Sequence, residues 1–140
     1  MDLEIAKNLL QGSDYTCVLC LGGKTATSKQ RGVKPLLNWL ENPALDKGFC
    51  AADKVVGKAT AYLYSLLGAK AVYANVMSES ALAVLQSQGI AASYGQLVPY
   101  IINRKKDGMC PMEAATLDVQ TPAEALAAVK KALAELDKRG

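Results

Sequence analysis

Hydrophobic positions along the chain switch between two periodicities, and the switches mark out the elements. Residues 2–11 place Leu3, Ile5, Ala6, Leu9 and Leu10 at helical spacing, and Gly12 closes the segment. YTCVLCL (15–21) and KTATSKQ (24–30) read as two strands joined by a tight turn at Gly22-Gly23, and Arg31-Gly32 ends the hairpin. Pro35 suits the first turn of a short helix, PLLNWLEN, which Pro43 stops. Over 51–67, Ala52, Val55, Val56, Ala59, Leu63, Leu66 and Leu67 fall on one helical face, so the spacing predicts a helix ended by Gly68. AKAVYANVM (69–77) has the length and β-branched content of a buried strand. Ser78 is placed to cap a helix to about Gln88, where Gly89 stops it. AASYGQLV reads as a further strand, Pro99 follows it, and YIINRKKDG has no single assignment. CPMEAATL reads as a short helix. Thr121-Pro122-Ala123-Glu124 is a capping box with proline at the first helical position, and opens the last helix.

A hairpin followed by helix–strand–helix–strand units, with helices long enough to cross between parallel strands, predicts an α/β protein of three α-β-α layers around a mixed sheet. A chain of 140 residues fits one domain over 1–140, with 1–12 as an N-terminal helix. No internal repeat, linker or low-complexity tract interrupts it.

Composition adds mostly exclusions. The net charge of +3 comes from scattered Lys and Arg with no basic stripe, so nucleic-acid binding is not expected. No apolar run reaches the ~20 residues of a membrane span, and the acidic start MDLEIAKNLL lacks the basic n-region of a signal peptide. A cytoplasmic protein is expected. Its four cysteines, Cys17, Cys20, Cys50 and Cys110, are then read as free thiols. Cys17 and Cys20 have CxxC spacing, but on a strand residues three apart face opposite sides and do not share a metal. The chain has no histidine and no second CxxC, so the thiols are expected to be buried and structural.

GVKPLLNWL, the CAADKVVGKA segment and the late NRKKDGMCPME run resemble a small uncharacterised prokaryotic family, a domain of unknown function, and with the element order they resemble the cytidine deaminase-like fold. The resemblance extends over nearly the whole chain from about residue 13. It implies a site between two helix starts. In true deaminases the first start carries a His or Cys ligand two residues before a Glu, and the second carries Pro-Cys-x-x-Cys; the three ligands hold Zn²⁺, which activates a water. Here Asp53 in the glutamate position leaves Ala51 as the ligand, while Cys50 as the ligand leaves Ala52 as the acid. The second start reads Ser78-Glu79-Ser80-Ala81, without proline or cysteine. Cys110-Pro111-Met112-Glu113 has the dipeptide reversed and one thiol. Glu79 alone does not replace two thiolates at a tetrahedral zinc. No zinc and no zinc-dependent deamination are expected.

What remains is an anion seat. Two helix starts, near Ala51 and Ser78, are expected side by side at the carboxyl ends of their strands, where open α/β sheets bind ligands. Their N–H groups and dipoles suit a phosphate or carboxylate. Ala51 and Ala52 allow close approach to the backbone, Ser78, Glu79 and Ser80 line the second start, and Arg31, Lys34 and Lys54 add charge if their loops close over the site. Asp53 is open to three readings: a ribose-hydroxyl acceptor, a base, or an acid that only complements the helix dipole. Ser78 is an N-cap as well as a candidate. Cys50 is a nucleophile candidate or inert packing, and Cys110 and Glu113 carry either function or the pattern of a proline-initiated helix.

Three functions follow. The first is a non-catalytic or regulatory protein whose degenerate deaminase-like pocket holds a nucleotide or another phosphorylated small molecule. The second is a metal-free enzyme acting on a nucleotide-like substrate through Asp53 or Cys50, though no histidine partners the thiol. The third is a structural subunit of a homo-oligomer with no ligand.

Overall fold

The computed structural model of the chain describes residues 2–103, 105, 106 and 108–139, the last three by backbone alone. Arg104 and Asp107 of the NRKKDG run, and Met1 and Gly140 at the ends of the expected domain, lie outside the described residues. The elements are α1 (Asp2–Gln11), β1 (Cys17–Leu21), β2 (Lys24–Ser28), α2 (Lys34–Glu41), β3 (Cys50–Val56), α3 (Lys58–Leu67), β4 (Ala71–Ser78), α4 (Glu79–Ser87), β5 (Ala91–Val98), α5 (Pro111–Ala115) and α6 (Pro122–Arg139).

Locally encoded features fall where the sequence puts them. Gly22 and Gly23 take φ of 58° and 84°, the left-handed pair of a two-residue hairpin turn. Gly68 ends α3 at φ 88°, with its N–H bonded to the Tyr64 and Ser65 carbonyls, both at 3.1 Å. Thr121 caps α6 by accepting the Glu124 N–H at 3.2 Å, and its hydroxyl donates to the Glu124 carboxylate at 3.0 Å.

One expected element is wrong. Residues 51–67 do not form one helix: Cys50–Val56 is strand β3, and only Lys58–Leu67 is helical. The stretch reads as a helix because β3 lies inside the sheet and is covered on both faces. Ala51 and Ala52 point to opposite sides, and both are fully buried. A strand buried on both faces has no polar alternation, and its apolar run matches a helical stripe equally well. The extended backbone at Gly57 (φ −96°, ψ −177°) separates strand from helix.

The five strands order as β2-β1-β3-β4-β5. β1 is antiparallel to β2 and β3, whereas β3, β4 and β5 run parallel, with Val56 opposite Met77 and Met77 opposite Leu97. The sheet is therefore mixed, and the carboxyl ends of three strands share one edge. Helices α2, α3, α4 and α6 cover one face, where Leu36, Phe49, Leu63, Tyr64, Met77 and Leu85 are fully enclosed. Each such side chain contributes ~1.5–3 kcal/mol of apolar burial. On the other face α1 packs Ala6 and Leu10 on Val18, Cys20, Ala52 and Tyr73. Lys7 places its ammonium 4.5 Å from the Tyr73 ring centre, and the Gln11 amide donates to Asn75 Oδ1 at 2.7 Å. The result is three α-β-α layers.

Between β5 and α5 the chain doubles back. Ile102 and Met109 form an antiparallel bridge, the Asn103 N–H donates to the Gly108 carbonyl at 2.9 Å, and the Cys110 N–H donates to the Ile101 carbonyl at 2.8 Å. This excursion fixes where α5 starts. No helix among the described residues is long and apolar enough to cross a membrane.

Candidate functional site

Because β3 and β4 are parallel neighbours that end together, the helices after them start together. Ser78, the residue before α4, accepts the Ala81 N–H on its Oγ at 3.1 Å, so α4 carries its own cap. Gly57, the residue before α3, has no side chain and leaves α3 without a local cap. The missing acceptor is the carboxylate of Glu113, which arrives from 55 residues further along the chain. The Lys58 N–H donates to Glu113 Oε1 at 2.6 Å, the Ile101 N–H donates to Oε2 at 2.8 Å, and the Ser78 hydroxyl reaches Oε1 at 3.4 Å. Glu113 is 4% exposed. Two helix N-termini thus converge on one carboxylate, where unpaired N–H groups and positive dipole ends favour an anion. The chain supplies that anion itself.

Short local contacts hold Glu113 there. Pro111 opens α5, the Cys110 N–H ties its start to Ile101, and the buried Thr116 hydroxyl donates to the Met112 carbonyl at 2.8 Å. The Lys58 ammonium donates to the Leu117 carbonyl at 2.9 Å rather than to Glu113. Gly57 is needed for the approach: a Cβ there would lie 2.7 Å from Glu113 Oε1 and 3.1 Å from Ile101 Cγ1. Gly57→Ala is expected to cost about 1–3 kcal/mol, because the clash forces the carboxylate off its donors. Urea unfolding checks this, and an unchanged midpoint means that the carboxylate is not confined.

A second buried polar group lies under α3. The Tyr64 hydroxyl donates to Asp53 Oδ2 at 2.7 Å, and Cys17 Sγ is 2.9 Å from the same hydroxyl. With the hydroxyl proton on Asp53, the thiol donates to the tyrosine oxygen. Cys17 and Asp53 are cross-strand neighbours on β1 and β3, and all three side chains are buried. Burial pushes Asp53 up to about 6, opposed first by the Tyr64 hydrogen bond. Burial first, and the Asp53 charge second, hold Tyr64 and Cys17 above their ordinary values. The group is a closed chain of donors ending on a carboxylate.

The family model for TM1506, a domain of unknown function (DUF1893), matches residues 5–133. The chain belongs to the DUF1893 family. A crystal structure of a DUF1893 family protein, TM1506 from Thermotoga maritima, superposes with a TM-score of 0.85 at 26% identity, covering 93% of this chain and 88% of that one. No curated protein matches.

In this DUF1893 chain only part of the expected site assembles. Ser78 lies against Glu113 at the start of α4, with Ser80 Oγ 3.2 Å from its Oγ and Glu79 exposed at the first position of α4. Ala51, Ala52 and Asp53 are not at a helix start; they lie inside β3, and Lys54 is exposed on the same strand. The helix start that the sequence pattern puts near Ala51 is at Gly57-Lys58. Asp53 is enclosed by Tyr64 and Cys17, so it does not complement the α3 dipole from the helix's first turn. Cys50 opens β3, at the opposite edge of the sheet from the helix starts, and burial raises its thiol instead of a helix dipole lowering it. Arg31 and Lys34 follow β2, which ends on the same side of the sheet as β3 but two strands away from it, while Glu113 takes its hydrogen bonds from Lys58, Ser78 and Ile101. A cleft of about 340 Å³ between Trp39, Phe49, Leu66 and Leu67 lies toward the other edge and takes in none of the expected residues. Among the described residues no three His, Cys, Asp or Glu side chains are grouped to hold a metal ion.

The site residues absent from the expected set are Lys58 and Ile101, which act through backbone N–H groups, together with Tyr64 and Cys17. One sequence signal points to the first pair: a helix opened by glycine, without a capping side chain, needs its acceptor from elsewhere in the chain.

Proposed function

We propose that this protein is a non-catalytic, ligand-responsive protein whose degenerate cytidine deaminase-like crevice takes a small phosphorylated molecule, a nucleotide first of all. The observation that carries this reading is the Glu113 carboxylate held between the α3 and α4 starts by the Lys58 and Ile101 amides and the Ser78 hydroxyl. Those donors suit phosphate oxygens as they suit a carboxylate. A phosphorylated ligand takes the seat by displacing Glu113, and α5 moves with it. Binding then reads out as release of α5, which is a regulatory output rather than turnover. The enclosure of Asp53 and the remoteness of Cys50 weigh against the metal-free enzyme.

The test is thermal unfolding of the wild-type protein with nucleoside mono- and diphosphates and with inorganic phosphate. A ligand at a hundredfold excess over Kd adds ~2.7 kcal/mol of stability, which raises the melting temperature by roughly 4 to 10 °C in a chain of this size. Ser78→Ala, which lacks one donor, is expected to shift less. A flat panel at millimolar ligand removes the nucleotide reading.

A further inference from the structure

The CxxC pair is split between the faces of the sheet: Cys17 packs in the larger core and Cys20 under α1. The partner of Cys20 is elsewhere. β1 and β3 place Cys20 directly opposite Cys50, and both are free thiols. Cys20 packs under α1, and strand alternation puts Cys50 on the same face as Ala52, also under α1. The bond from the Lys54 N–H to the Thr16 carbonyl (3.1 Å) sets the phase of this ladder, which makes Cys20 and Cys50 a hydrogen-bonded pair. Such pairs have Cα atoms ~5.5 Å apart, inside the range of ~4.4–6.8 Å that a disulfide spans. Their Cβ atoms are also ~5.5 Å apart, so closure must draw them together by about 1 Å and gives a strained, readily reduced bond.

We propose that Cys20 and Cys50 are a redox-active dithiol that closes to a cross-strand disulfide under peroxide. The first turn of α1 lies over the pair. The Cys20 thiol donates to Asp2 Oδ1 at 3.6 Å, and the same carboxylate accepts the Gly22 and Gly23 N–H groups at 3.0 and 3.4 Å. Cys20 is 0% exposed and Cys50 9%, so Cys50 is the thiol that peroxide reaches. Its sulfur attacks one peroxide oxygen, the O–O bond breaks, and a sulfenic acid and one water form. The Cys20 sulfur then attacks the sulfenic sulfur and displaces its hydroxyl as a second water. The two thiols lose two electrons and two protons, and one peroxide becomes two waters. Burial first and the Asp2 charge second keep both thiols protonated, so closure is slow. Closure also removes the thiol proton that Asp2 accepts, one of the ties between α1 and the hairpin turn.

Cys110 is only partly buried and reacts in its own right, so the test uses both the wild-type chain and Cys110→Ser. After hydrogen peroxide treatment, intact mass is expected to fall by two hydrogens in Cys110→Ser, and digestion to give one peptide linked through Cys20 and Cys50. Dithiothreitol restores both thiols, Cys17 stays free throughout, and Cys50→Ser gives no internal link. The same linked peptide in digests of the wild-type chain supports the pairing independently of any variant. Free thiols after treatment, oxygen-adduct masses without a link, or a link through Cys17 each overturn the proposal.

Discussion

Glu113→Ala lowers the stability of the fold by about 2–4 kcal/mol, the sum of lost hydrogen bonds to a charged group and of buried N–H groups left unpaired. The Lys58 and Ile101 amides lose their acceptor, and α3 loses its cap. Against a total stability of ~5–15 kcal/mol this is a large fraction, but the chain still folds. Glu113→Gln keeps a carbonyl for one amide and gives up the charge, and is expected to lose roughly half as much. Thermal and urea unfolding of the three proteins check both the loss and the ranking. A fully stable Glu113→Ala means that water serves the amides as well as the carboxylate does.

Asp53 produces the second large effect, through pH. Burial raises its pKa from 3.8 to about 6 in the folded state. Between those values the folded chain holds a proton that the unfolded chain has released, so folding is favoured by acid. The contribution is fully present below the unfolded pKa and is lost as pH rises through about 6. Over this window it amounts to about 3 kcal/mol, because a proton held only by the folded chain changes stability by ~1.4 kcal/mol for every tenfold change in proton concentration. Asp53→Asn has no proton to exchange and retains a hydrogen-bond partner for Tyr64. The difference in stability between wild type and Asp53→Asn is therefore expected to move in favour of the variant as pH rises from about 4 to about 7, then level off. Other carboxylates titrate equally in both proteins and cancel. Parallel pH profiles for the two proteins show instead that Asp53 binds its proton equally well in the folded and the unfolded chain.

Elements that carry their own punctuation are legible in the sequence: the Gly22-Gly23 turn, the Gly68 stop, the Ser78 cap and the Thr121 capping box each use contacts within a few residues. The opposed faces of Cys17 and Cys20 also follow from strand alternation alone. β3 is not legible, because burial on both faces erases the alternation that identifies a strand, and Ala51 and Ala52 look the same from sequence whichever face they take. That one error shifts the first helix start from Ala51 to Lys58 and turns Asp53 from an expected site residue into a buried one. The meeting of two helix starts at the ends of parallel strands is legible. The carboxylate between them is not, because Glu113 and Gly57 are brought together only by tertiary packing. The pairing of Cys20 with Cys50 likewise depends on the β1–β3 register, which no local pattern encodes.

The most direct measurement of the central claim, that Glu113 fills a seat for small anions, is the melting temperature of Glu113→Ala titrated with inorganic phosphate against chloride of equal ionic strength. Phosphate is expected to raise it toward the wild-type value, and by more than it raises wild type, because the Lys58 and Ile101 amides regain an anion. Equal shifts in the two proteins, or no difference between phosphate and chloride, contradict an anion seat at the paired helix starts.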